Sequence, residues 1–164
     1  MSAAAQIRPH WQGPAALRGW LLVLAWLALI LLFSSESFSE ASTGSQLRPF
    51  LRWLFPDWSA SEIRLLHYAI RKVAHVGVYG VLALLSFRAI RLSLEASVLR
   101  VAGLALALVL VAAATDETRQ SFSRTRTGSL SDVAYDLVGG VAALAIVVGR
   151  RRARGGIRNR PPGF

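Results

Sequence analysis

Hydrophobic residues fall in four long blocks separated by short polar stretches, with no sustained alternation of apolar and polar positions. The first block, Ala15–Phe33, is interrupted only by Arg18, and its 19 residues would rise about 28 Å as a helix, close to the hydrocarbon thickness of a bilayer. The second runs roughly over Tyr68–Phe87. The third, about Leu99–Thr115, is almost pure Ala, Leu and Val, and the fourth is Val133–Gly149. Blocks of this length predict an all-α polytopic membrane protein, a bundle of four transmembrane helices. A cleaved signal peptide is the alternative for the first block. Its apolar run is longer than a usual signal core, and Ser34-Ser35-Glu36-Ser37 offers no convincing cleavage site, which favours an uncleaved span.

The polar stretches carry their own patterns. Glu36–Gly44 reads as a Ser-rich loop. Gln46–Phe55 then places Leu47, Phe50, Leu51 and Leu54 at i, i+3, i+4 and i+7 beside Arg48, Arg52 and Trp53, an interfacial amphipathic segment that Pro56 cuts off. Ser59-Ala-Ser-Glu62 has capping-box spacing and predicts a helix start that runs on into the second block. That combined helix is longer than the bilayer is thick, so its first turns should protrude or lie in the interface. A short connection around Leu92–Leu99 precedes the third block. Gly139-Gly140 would let a neighbouring helix approach the fourth closely.

Composition agrees with the membrane reading: 164 residues, 54% of them hydrophobic and 17% charged, with a single-domain length. The chain divides into an N-terminal tail at 1–14, a four-span domain at 15–149 and a basic tail at 150–164, the last expected to be disordered. Absence of cysteine excludes disulfides and thiolate metal sites. The net charge of +10 raises nucleic acid as a partner, but no basic stripe interleaved with aromatics lies in a soluble segment, so none is expected. The charge instead sets topology. The N-tail, the 88–100 connection and the C-tail share one side, which holds 11 of the 19 basic residues and Glu95 as its only acid. The other eight bases and eight acids lie opposite and cancel. The positive-inside rule therefore puts both termini in the cytoplasm of a multi-pass protein, and the Asp116–Asp132 stretch outside.

That topology gathers polar residues at the outer membrane edge. Ser34 and Ser35 close the first span. Lys72, His75 and Tyr79 share a face near the outer end of the second, and Tyr68 extends their stripe. Asp116, Glu117 and Gln120 end the third span, while Asp132 and Asp136, spaced i, i+4, begin the fourth. Several have simple structural explanations: Lys72 as a snorkelling cation, Asp132 as a helix N-cap, Arg119, Arg124 and Arg126 as counter-charges. Asp136 is harder to explain so, since a carboxylate inside a span needs a partner or a proton, and Lys72, Arg126 and His75 are the candidates.

Three blocks carry a resemblance: Ile70-Arg71-Lys72-Val-Ala74-His75-x-x-x-Tyr79-x-x-Leu82; Asp116-Glu117-x-x-Gln120; and Arg126-x-Gly128-Ser129-x-x-Asp132-Val133-x-x-Asp136-x-x-Gly139. Together with Phe33-Ser34-Ser35, over about residues 17–148, they resemble the VanZ-like membrane protein family. One departure is Val78, where many relatives of this type have a glutamate before the tyrosine. The resemblance implies a bacterial cytoplasmic-membrane protein of the cell envelope. The family namesake is associated with low-level resistance to the glycopeptide teicoplanin; a resistance role for this chain does not follow.

Two functional classes remain open. In one, an outward-facing polar pocket binds an anionic lipid-linked or amphiphilic envelope ligand, with membrane lipids or a lipid-linked precursor as partners. Arg71, Lys72, His75, Tyr79, Gln120, Arg126, Asp132 and Asp136 are its candidate contacts. In the other, an intramembrane hydrolase or transferase acts on a lipid phosphate or glycolipid. His75, Asp116 and Glu117 are its candidate acid–base groups, and His75, Glu117, Asp132 and Asp136 the candidate ligands of a divalent metal, although no cofactor is expected outright. A carrier coupled to Asp136 is disfavoured by the absence of an inverted repeat. No G-x-S-x-G, H-E-x-x-H or Walker loop is present.

Overall fold

The computed structural model describes residues 7–35, 40–122 and 129–158. Five helices follow a two-residue strand β1 (Arg8–Pro9): α1 (Gly13–Phe33), α2 (Glu40–Leu54), α3 (Ala60–Ser93), α4 (Val98–Ser121) and α5 (Leu130–Arg158). A second short strand, β2 (Leu94–Glu95), lies between α3 and α4. Four of the helices, all but α2, are long and apolar enough to cross a membrane. The protein is an all-α polytopic bundle, as the four blocks require.

α3 is the spine and packs against each of the other helices. It starts where the capping box places it: the Ser59 side chain accepts the Glu62 amide, and Glu62 accepts the Ser59 amide at 2.7 Å. Its 34 residues rise about 51 Å, well beyond an apolar core of about 30 Å. α1 is fastened to it by two indoles. Trp20 donates to Ser93 Oγ and Trp26 to the Val78 carbonyl, each at 2.9 Å. The apolar centre of the bundle is built from Val23, Tyr79, Leu82, Ala83, Phe87, Val101, Ala105, Val109 and Leu144. β1 and β2 pair antiparallel, Arg8 opposite Glu95 and Pro9 opposite Leu94, so the chain before α1 is pinned to the α3–α4 connection.

Three boundaries differ from the expected ones. α2 begins at Glu40, six residues before the expected amphipathic start, so 40–44 are helix and not loop. The added turn holds Thr43 and Gly44, and Thr43 bonds α3 side chains, a tertiary contact that outweighs the weak helix propensity of Ser, Thr and Gly. α4 continues past Thr115 to Ser121, so the Asp116-Glu117-x-x-Gln120 motif that ends the third span lies in buried helix. Gln120 bonds Asp116 one turn back at 2.9 Å, and Thr118 bonds the Ala114 carbonyl at 2.7 Å. α5 runs through Arg158 although disorder was expected after Gly149. Arginine is a good helix former, cations suit a helix C-terminus, and the Arg151 guanidinium lies 5.5 Å from the centre of the Phe87 ring.

Candidate functional site

The end of the bundle where α1 and α4 finish and α5 begins carries two polar assemblies, sharing His75. One is a seam between α3 and α5. Lys72 forms an ion pair with Asp132, and the Lys72 ammonium lies over Tyr68 at 4.9 Å and Tyr135 at 5.2 Å from the ring centres. One turn deeper, His75 Nδ1 meets Asp136 Oδ1 at 2.9 Å, and Asp136 is only 1% exposed. The two pairs are in register because Lys72 and His75 are spaced by three and Asp132 and Asp136 by four, one turn of each helix. A further turn along α5, Gly139 lets the backbones touch. A Cβ there would run into the Val76 carbonyl, and one at Gly80 would stand 3.2 Å from the Gly139 oxygen. Glu117 closes the seam from α4: its Oε2 accepts the backbone amide of Ser129 at 2.6 Å, immediately before α5. Its Oε1 has no hydrogen-bond partner among the described residues.

The other assembly is a half-open cavity of about 360 Å³ between α1, α2, α3 and the end of α4. Ile30, Phe33, Leu47, Ile70, Ala74 and Val78 give it an apolar wall. Its polar side brings together His67, Arg71, His75, Tyr79, Asp116 and Gln120. The α3 members are spaced by four, His67, Arg71, His75 and Tyr79, and so form one slowly winding stripe. Arg71 donates to Thr43 Oγ1 at 3.1 Å, and Thr43 lies 3.4 Å from His67 Nε2. Gln120 donates to Ser34 Oγ at 2.8 Å and to Asp116 at 2.9 Å, joining the ends of α1 and α4. Arg119 reaches back to the Leu31 carbonyl at 3.1 Å, where the end of α1 leaves acceptors unpaired. Tyr79 is 2% exposed, and its hydroxyl has no partner among the described residues.

The candidates from the sequence therefore divide. Arg71, His75, Tyr79, Asp116 and Gln120 line the cavity; Lys72, Glu117, Asp132 and Asp136 do not. Asp132 is not the residue before α5 but lies in its first turn, and Ser129 takes the capping position, accepting the Ser131 amide at 3.3 Å. Arg126 lies outside the described residues. The proposed metal ligands are not brought together: His75 and Asp136 hold each other, Asp132 holds Lys72, and Glu117 holds the Ser129 amide. Among the described residues no three His, Asp or Glu side chains gather as around a metal ion. His67 and Thr43 were missed. The i, i+4 spacing of His67 to Arg71 was a usable signal for the first; Thr43, one of several hydroxyl residues in a polar run, had none.

The seam and the cavity both fall in the segment matched by a family model, VanZ/LLP1, which covers residues 19–151. Neither the curated proteins nor the solved structures provide a match. The match takes in α2, α3 and α4 whole and most of α1 and α5, and on that extent the chain belongs to the VanZ/LLP1 family.

Proposed function

We propose that the protein binds an anionic lipid-linked or amphiphilic envelope ligand in the cavity beside α3. The observation that carries this reading is the pairing of an apolar wall with a polar side in one half-open space, with Arg71 among its lining residues. Such a space suits a molecule with a hydrocarbon part and a charged head, because each part loses water only against matching groups. The arginine asymmetry supports an outward orientation in a bacterial cytoplasmic membrane, with both termini inside. Arg71 takes the role of head-group cation, since its side chain lines the cavity and that of Lys72 does not.

The test is lipid retention by the purified protein in native mass spectrometry. Wild type should retain phosphatidylglycerol, and Arg71→Ala should weaken that retention by about tenfold or more, the loss of a charge-assisted contact. Unchanged retention in Arg71→Ala removes the reading. A catalytic reading has one observation behind it: Asp136 holds His75 Nδ1 at 2.9 Å and the ring lines the cavity, the arrangement of an oriented general base. It requires turnover of a lipid phosphate that His75→Gln abolishes, and a long incubation without product excludes it for that lipid.

A further inference from the structure

We infer that the cavity selects a head group carrying a primary ammonium beside its anionic group, an inference that rests on the binding reading above. The cavity has two poles of opposite sign on different helices. Arg71 stands on the α3 side next to Thr43 and His67, and Asp116 faces the same space from α4. Asp116 is 4% exposed. Its partners compensate its charge poorly: the Gln120 amide at 2.9 Å is neutral, and the Arg119 guanidinium at 3.5 Å is at the limit of hydrogen bonding and 46% exposed. A carboxylate has about four acceptor positions, and Gln120 and Arg119 take one on each oxygen of Asp116, which leaves room for a further donor. A cationic donor entering the cavity satisfies it.

The Tyr79 hydroxyl is the second, independent observation. It is buried in the wall of the same cavity and has no partner among the described residues. A phenol oxygen accepts as well as donates, and an ammonium has three N–H groups to distribute. Asp116 and Tyr79 together make an acceptor pair for a primary ammonium, while Arg71 receives the phosphate. A trimethylated ammonium has no N–H to give, and the terminal glycerol of phosphatidylglycerol brings no cation to Asp116, so both fit this pair less well.

The experiment uses the full chain in detergent, titrated in native mass spectrometry with phosphatidylethanolamine, phosphatidylcholine and phosphatidylglycerol of identical acyl chains, and with soluble phosphoethanolamine. Wild type should prefer phosphatidylethanolamine by roughly tenfold, and Asp116→Asn should bring the three lipids within about twofold. Equal retention of the three by wild type, or a preference that survives in Asp116→Asn, overturns the ammonium inference while Arg71-dependent retention still upholds lipid binding. Soluble phosphoethanolamine binding as tightly as the lipid, with the same Asp116 dependence, upholds the ammonium site and overturns the amphiphile. Loss of Arg71-dependent retention for every probe overturns both. Should Asp116→Asn fail to fold, the wild-type comparison of the three lipids and a reduced preference in Tyr79→Phe decide the matter.

Discussion

The two faces of α3 treat their polar residues in opposite ways. Toward α5, Lys72 and His75 each have a carboxylate partner, and one turn on, the backbones meet at Gly139 with no room for a methyl group. Toward α1, α2 and α4, the polar residues surround a space they do not fill, and the Tyr79 hydroxyl is buried without a partner among the described residues. Closely spaced and paired groups report how the bundle is held together. Polar groups left incompletely satisfied beside a cavity report what it is held together for, because burial without a partner costs about 1–3 kcal/mol per group and needs a compensating role.

The sharpest way to break this comparison is at the backbone contact. Gly139→Ala places a methyl group against the Val76 carbonyl, which belongs to a packed helix and cannot swing aside. The expected cost is about 3 kcal/mol or more, read from denaturant unfolding of the purified protein in mild detergent. Gly149→Ala, on the same helix with open space around it, is the control and should change stability by no more than about 1 kcal/mol, in the favourable direction. Equal behaviour of the two variants would remove the tight α3–α5 approach.

The seam is more legible in the sequence than the cavity, and the reason is physical. Gly139-Gly140, the i, i+4 pair Asp132 and Asp136, and the capping box at Ser59 are local signals, and each found its place. The cavity depends on which face of α3 meets which helix. Lys72, His75 and Tyr79 share a broad helical face, yet Lys72 turns to α5, Tyr79, only about 20° away around the helix, reaches the cavity, and His75 touches both, a division that spacing alone does not assign. Thr43 enters only because α2 folds back against α3, which depends on contacts distant in sequence. The Asp116 motif reads from sequence as the end of the third span, but propensity does not show that Gln120 and Ser34 continue the packing there.

Depth within the seam should show in stability. Asp136 is buried, whereas Asp132 and Lys72 are partly solvated. Asp136→Ala takes away the partner of His75 Nδ1 and empties a buried position, and should cost about 2 kcal/mol. Asp132→Ala should cost about 1 kcal/mol or less, because water screens the pair and rescues the Lys72 ammonium. The same unfolding assay ranks them. A reversed order would mean that the outer ion pair, not the inner one, holds α5 in register.

The smallest effect is the most discriminating, because its sign differs from that of every seam variant. A buried tyrosine whose hydroxyl has a partner loses about 1 kcal/mol when changed to phenylalanine. The Tyr79 hydroxyl has none among the described residues, and the ring itself is fixed by packing against the bundle centre. Tyr79→Phe should therefore leave the ligand-free protein as stable as wild type, or more stable by a few tenths of a kcal/mol up to about 1 kcal/mol. The stabilisation that ligand adds to wild type should shrink in the variant, since binding to the folded state raises apparent stability in proportion to affinity. Unfolding with and without phosphatidylethanolamine separates the two contributions. A loss of about 1 kcal/mol without lipid would show that the hydroxyl is already satisfied within the fold, and the contrast between the two faces of α3 would fail at the residue that defines it.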